Sequence, residues 1–469
     1  MLFNSVQFLF FFVIVTIIYF QLPYKFRWIH LLLASCYFYM VFFPVYIVIL
    51  GFTIVIDYFA GIFLEKLQGK NRKMFLIASL VANIGVLAVF KYYNFLNQNL
   101  GDLLGVFGHQ SPMPVLKILL PIGLSFHTFQ AMSYTIEVYR KQVKAERNFG
   151  LYALYVMFYP QLVAGPIERP QNLLPQLRSK HDFNFEGFKE GLMQMAFGFF
   201  KKVVIADRLA LVVDDAYGRA NIQNGSTLLV ATVFYAFQIY CDFSGYSDIA
   251  IGAARIMGIK LMTNFNAPYF SKSIAEFWKR WHISLSTWFK DYLYISMGGN
   301  RVSVPRWYLN LMIVFLISGL WHGANWTFIV WGGLHGFYML FGIWKNKLLK
   351  WMKIPVLRGF PMKILNISAT FMLVCFAWIF FRAVSFASAV QIIKKISVIS
   401  VHDKLNFVLN GTEMWFCVIL IVLLSIKEKY YLKIQTKNTA WFFLLFTIIA
   451  FGSYVLGVFN NKQFIYFQF

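Results

Sequence analysis

Long apolar runs separated by short polar loops fill the chain from one end to the other. They cover 5–21, 29–42, 44–63, 74–92, 116–136, 190–213, 227–257, 308–321, 325–344, 363–381, 413–426 and 440–459. A membrane-spanning helix needs about 20 predominantly apolar residues. The pattern therefore predicts an all-α, polytopic membrane helix bundle of about twelve spans, read as a single transmembrane domain over 1–469. Several runs are short for an untilted span. A further apolar segment, Tyr152 to Ala164, is shorter still and ends in Tyr159-Pro160 and Gly165-Pro166. If it crossed the membrane, the basic stretch 272–306 would land outside. It is expected to be re-entrant or interfacial, with an ordinary short helix as the alternative.

Charge sets the sidedness. Lys and Arg gather in the loops 64–73, 137–148, 345–362 and 427–439, which should face the cytoplasm. The segments 93–115, 214–226 and 383–411 then face outside. The first apolar run is followed, not preceded, by its basic residues Lys25 and Arg27. That order predicts an uncleaved first span. Parity puts both termini outside. Composition agrees: 59% of residues are hydrophobic and only 13% charged, against about 25% charged in soluble domains. The net charge of +24 is distributed over loops, which argues against nucleic acid as a partner. Cys36, Cys241, Cys375 and Cys417 all lie in apolar stretches with no close-spaced pair. They predict neither a disulfide framework nor a metal site.

Polar residues inside apolar runs are the candidates for chemistry. His322 stands in Ser318-Gly-Leu-Trp-His-Gly-Ala-Asn325, between two short spans. A neutral imidazole there is suited to act as a general base, since histidine titrates near working pH. The alternative is a histidine that hydrogen-bonds a neighbour for packing alone. His335 follows in Trp331-Gly-Gly-Leu-His-Gly336, where glycines permit close helix approach. Asp242 and Asp248 lie six apart in one span and face different directions, so they do not form a carboxylate pair. They are expected to orient partners or to pair with Arg255. The stretch Phe277 to Tyr292 is rich in Trp, Lys and Arg. It reads either as an amphipathic interfacial helix or as a cytoplasmic platform for an anionic donor. The final residues, Phe464-Ile-Tyr-Phe-Gln-Phe469, form either a frayed aromatic tail or one tucked into protein. Phosphate loops, His-Glu-x-x-His and Gly-x-Ser-x-Gly elbows are missing from the sequence.

Five segments carry a resemblance: Pro121-Ile-Gly-Leu-Ser-Phe-His-Thr-Phe-Gln130, Val163-Ala-Gly-Pro-Ile-Glu-Arg169, Phe277-Trp-Lys-Arg-Trp-His-Ile-Ser-Leu-Ser286, Ser318-Gly-Leu-Trp-His-Gly323 and Phe380-Phe-Arg-Ala383. Together they resemble the membrane-bound O-acyltransferase (MBOAT) family over nearly the whole chain. The likeness is to its bacterial branch, which O-acetylates exported polysaccharides such as alginate and peptidoglycan. The resemblance implies an MBOAT core with His322 as the catalytic histidine in a transmembrane tunnel. It implies supporting polar roles for His282 and His335, and a donor-side surface including Trp278, Arg280 and Trp281; Asp242, read from its place in an apolar span, is taken as a third supporting polar residue. The C-terminal aromatic motif implies Tyr466 as a covalent acyl acceptor.

On that basis acetyl-CoA is the donor, with no bound cofactor and no metal. An extracytoplasmic polysaccharide is the acceptor, and a separate SGNH-hydrolase-like periplasmic transferase is the partner. The expected location is the bacterial cytoplasmic (inner) membrane, in contact with its lipid. Two other readings stay open: an acyltransferase of the same family acting directly on a lipid or small molecule, and a polysaccharide flippase. The flippase should show inverted repeats or paired broken helices.

Overall fold

The computed structural model describes residues 1–109, 113–116, 120–163, 165–353, 359–430, 437–459 and 464–465. Every regular element among these residues is helical. This follows from the solvent: lipid offers backbone amides no partners, so each span must satisfy its own. The first helices are α1 (Val6–Gln21), α2 (Tyr24–Met40), α3 (Tyr46–Lys66) and α4 (Gly69–Leu87). A π-helical turn at Ala88–Tyr92 leads from α4 into α5 (Tyr93–Val106), and α6 (Leu124–Tyr139) follows. Next come α7 (Phe149–Met157), α8 (Tyr159–Leu162), α9 (Pro170–Arg178) and α10 (Phe185–Phe199). A second π-helical stretch, Phe200–Ala206, joins α10 to α11 (Asp207–Gly218), before the long α12 (Gly225–Ile256). Two short helices, α13 (Ile274–Arg280) and α14 (Ile283–Trp288), precede α15 (Val304–His322) and α16 (Trp326–Trp351). The chain ends with α17 (Phe360–Arg382), α18 (Phe386–Ser397), α19 (Gly411–Lys429) and α20 (Thr439–Leu456).

Local sequence explains several helix starts. The side chains of Ser5, Asn148, Ser273, Asn325, Ser385, Asn410 and Asn438 each accept a backbone N–H from the first turn they cap. Asn410 and Glu413 complete a reciprocal capping box.

Each of the twelve expected runs meets a helix, so the all-α membrane bundle stands. Among the described residues, seven helical runs are long and apolar enough to cross a membrane: 46–66, 69–106, 225–256, 304–322, 326–351, 360–382 and 439–456. Val6–Gln21 is apolar but shorter. The segment expected as an outer loop from 93 starts as helix, because the π-turn carries the helix through to Val106. The expected cytoplasmic charges Lys345, Lys347 and Lys350 sit on the last turns of α16. The described part of the short apolar segment, 152–163, divides into α7 and α8, broken at Phe158 (φ −49°, ψ 111°) ahead of Pro160; Ala164 lies outside the described residues. Residues 151–163 are buried.

The chain folds as two compact units: residues 1–195 with 247–262, and residues 196–246 with 263–469. In the first, α3, α4 and α6 enclose a polar knot. The buried Asp57 carboxylate accepts Ser79 Oγ at 2.6 Å and Asn83 Nδ2 at 2.8 and 2.9 Å. His127, from the first resembling motif, bonds Thr53 Oγ1 through Nε2 at 2.6 Å. A small cavity lies beside it, lined by His127, Gln130, Gln161 and Ile167.

The second unit is organised by the α15–α16 hairpin. Phe315, Ser318, Gly319 and His322 share one face of α15, and Phe328, Trp331, Gly332, His335 and Gly336 share one face of α16. A Cβ on Gly319 would lie 2.3 Å from Phe328 O, and one on Gly332 would lie 2.2 Å from Phe315 O. The two helices meet backbone to backbone. Gly332→Val should therefore force the helices apart and lower stability by at least about 1–3 kcal/mol. Gly342→Ala, where a Cβ meets open space, should be neutral or slightly stabilising. Thermal melts of the detergent-solubilised variants check this; equal melting temperatures would show that the close approach contributes nothing.

Candidate active site

His322 is the last residue of α15, and only 4% of it is exposed. Aromatic rings surround it. Trp321 lies 4.8 Å away between centroids, Trp331 meets it edge-on at 4.9 Å, and Phe381 of α17 at 5.2 Å. Trp378 stacks on Trp331 at 5.8 Å and meets Phe381 at 5.1 Å, closing the cage. An imidazole so placed keeps a polar ring in apolar surroundings, the setting in which a general base acts on a substrate shielded from water.

His335 lies about one turn beyond Trp331 on α16, fully buried, with its ring 5.0 Å from that of Trp331. Trp278 of α13 donates its indole N–H to His335 Nδ1 at 3.2 Å. Because Nδ1 accepts, the ring proton belongs on Nε2. Nε2 has no hydrogen-bond partner among the described residues. His335 thus offers a buried N–H that can bind a carbonyl oxygen.

His282 is buried and held differently. Its backbone is left-handed (φ 43°, ψ 55°), which costs a non-glycine residue about 1–3 kcal/mol. Asn264 Oδ1 stabilises this turn by accepting from His282 Nδ1 (3.1 Å), Ser284 N (3.2 Å) and Ser284 Oγ (2.9 Å). The His282 ring meets Phe243 at 4.6 Å and Trp321 at 6.3 Å. The three histidines are therefore joined through Trp321 and Trp331 into one aromatic column.

The other sequence candidates spread around this column. Trp278 packs on Phe315 and Trp331 and joins the column through its indole bond. Trp281 is 1% exposed and packs on Trp378, Phe277 and Phe265. Arg280 is half-buried, paired with Glu276 at 2.8 Å. The stretch 277–292 is not one amphipathic helix: α13 and α14 are separated by the His282 turn, and a π-helical stretch follows at Phe289–Tyr294. Phe464 and Ile465 are buried, so this part of the tail is tucked into the protein. Tyr466 lies outside the described residues.

Of the two roles left open for Asp242, orienting a partner and pairing with Arg255, the structure gives it partners other than Arg255. Arg255 pairs with Glu190 at 3.3 Å, and Asp248 accepts from Gln194 Nε2 at 3.0 Å. Asp242 instead pairs with Lys202 at 2.8 Å, and Lys202 also reaches Asp207 at 2.9 Å. All three are buried. The signal was present in the sequence: Lys201, Lys202 and Asp207 are charges inside an apolar run, where each marks a site by default. The π-helical stretch decides which faces they take, and π-turns accompany functional sites.

The fold and site define an integral-membrane protein that seals histidines among indoles in a helical core. The chain belongs to the membrane-bound O-acyltransferase family, whose model matches residues 59–390. It is 41% identical over 386 residues to the probable alginate O-acetylase AlgI of Pseudomonas aeruginosa, covering 82% of this chain and 72% of that protein. It is 37% identical over 393 residues to the peptidoglycan O-acetyltransferase of Helicobacter pylori, covering 78% and 72%. It is 28% identical over 343 residues to the teichoic acid D-alanyltransferase of Bacillus subtilis, covering 69% and 82%. The protein is an O-acyltransferase enzyme of the membrane.

Trp278→Phe keeps a ring at this position but deletes the indole N–H. His335 Nδ1 would then be buried without its donor, at a cost of about 1–3 kcal/mol. A lower melting temperature than wild type is expected. No change would show that the bond does not hold the column together.

Proposed function

We propose that the enzyme moves acetyl groups from cytoplasmic acetyl-CoA across the bacterial cytoplasmic membrane toward hydroxyls of an extracytoplasmic polysaccharide. An alginate-like polymer or peptidoglycan is the acceptor class. The choice of acetyl follows the relatives: two named for O-acetylation match at 41% and 37% identity, against 28% for one named for D-alanyl transfer.

The observation that carries this reading is the path of rings from His322 to the chain's C-terminal segment. Phe464 meets Phe243 at 5.6 Å, Phe243 meets His282 at 4.6 Å, and Trp321 links His282 to His322. Tyr466, two residues beyond Phe464, is the acyl acceptor in this mechanism. His322 takes the phenol proton as Tyr466 oxygen attacks the thioester carbonyl. The C–S bond breaks, the proton passes to the departing thiolate, and an aryl acetate remains on the tyrosine. In this mechanism His335 Nε2–H stabilises the developing oxyanion. A phenol deprotonates far more readily than a sugar hydroxyl, and its ester is activated for onward transfer. A separate periplasmic transferase, SGNH-hydrolase-like, then delivers acetyl to the polymer. Basic loops facing the cytoplasm and both termini outside complete this topology.

Removing a general base costs about 10²–10⁴-fold in rate. His322→Ala should therefore lower acetyl transfer by roughly 1,000-fold while leaving the protein folded. Intact-protein mass of wild type, purified without the polymer-side transferase, should show an added acetyl on the peptide bearing Tyr466. His322→Ala and Tyr466→Phe should both lack it. Acetylation of that peptide in His322→Ala would refute the histidine's role; polymer acetylation by Tyr466→Phe at the wild-type rate would refute the relay.

A further inference from the structure

After α20 the described residues 457–459 and 464–465 contact the bundle. Arg208 donates to Leu456 O at 2.7 Å, at the end of α20. Val458 N donates to Val203 O at 2.8 Å, in the π-helical stretch. Ile465 N then donates to Asp242 Oδ2 at 2.8 Å. Each of these acceptors or donors lies on or beside the run that carries Lys202 and Asp207, or on α12.

The electrostatics explain why Asp242 takes a backbone amide. One ammonium, Lys202, serves two carboxylates, Asp207 and Asp242, at 2.9 and 2.8 Å. Lys202 thus bridges two carboxylates away from water. Buried charge must be compensated by hydrogen bonds as well as by its counter-ion. The Ile465 N–H supplies one at the oxygen that Lys202 does not occupy. Apolar packing seals it: Phe464 is fully buried, 4.4 Å from the Tyr246 ring, and Tyr246 in turn faces Lys202 Nζ at 5.7 Å. Gly245 makes room, since a Cβ there would lie 2.8 Å from Gly198 O and 3.3 Å from Lys202 N.

We propose that the buried Lys202–Asp207–Asp242 cluster is the dock for the C-terminal segment, with Asp242 as the positioning residue that holds the Ile465 amide. Docking puts residues 464 and 465 at a defined place in the core. Tyr466 is the next residue in sequence, so the consequence of docking for acyl transfer rests on the relay reading above; the docking itself does not.

Hydrogen exchange of the full-length protein in detergent, resolved at the Ile465 amide, tests this. Asp242→Ala removes the acceptor and leaves Lys202 with Asp207 as a neutral pair. Exchange at Ile465 should accelerate roughly 10- to 100-fold, the scale of losing a hydrogen bond to a charged group, while α12 amides stay protected. Asp242→Asn keeps an acceptor oxygen and should restore most of the protection. Unchanged exchange at Ile465 in Asp242→Ala would overturn the proposal. Should Asp242→Ala also loosen α12, Phe464→Ala decides, because it strips the ring from Tyr246 and Phe243 without touching the cluster. Faster exchange at Ile465 then supports the dock, and wild-type exchange overturns it. Acetylation separates the two ideas. A released tail with unchanged polymer acetylation would retain the dock and sink the tyrosine relay. An equally protected amide would sink the dock whatever the acetylation.

Discussion

The contact of α15 with α16 at Gly319 and Gly332 governs the placement of His322. Without side chains at these two positions, the helix backbones touch, and the end of α15 is pressed against the aromatic face of α16. His322 then has no direction to point except into the rings of Trp331 and Phe381. Lipid supplies little driving force for helix association, so close packing and buried polar bonds must supply it. Glycine at both crossing points meets the first requirement, and the indole–imidazole bond between Trp278 and His335 contributes to the second.

Polar groups in each unit follow a common rule. In the first, Asp57 is surrounded by Ser79 and Asn83. In the second, Asn264 serves three donors around the strained His282 turn. Lys202 serves two carboxylates. Each arrangement spends one multivalent side chain on several partners. That economy matters where every unsatisfied polar atom costs several kcal/mol. It also holds these side chains in one geometry, as a preorganised site requires.

The chemistry and the architecture suit each other. A histidine sealed among indoles is shielded from water, which suits acyl transfer because water would compete as the acceptor. Family membership fixes the reaction class as O-acyl transfer. The ring path from His322 through His282 to Phe464 is specific to how this chain is folded.

Much was legible before any coordinates. Apolar run lengths determined an all-helical membrane protein, because only internally bonded helices or closed barrels survive in lipid and the runs are too long for strands. His322 was visible because an ionisable residue there is costly. Its motif identified the kind of enzyme. Partner choice was not legible. The sequence offered Arg255 as a partner for Asp242, and only the packing of the π-helical stretch against α12 turned Lys202 toward it instead. Nor did periodicity foresee that 277–292 would break at His282, since the left-handed turn depends on Asn264, a residue distant in sequence. Burial of Phe464 likewise required Tyr246 and Phe243 to be brought to it. The sequence by itself determined composition-driven properties: solvent, helix content and the residues able to do chemistry. Tertiary structure decided which of those residues meet, because a pairing across many residues is set by the packing of whole helices, while periodicity reports only which side of its own helix a residue occupies.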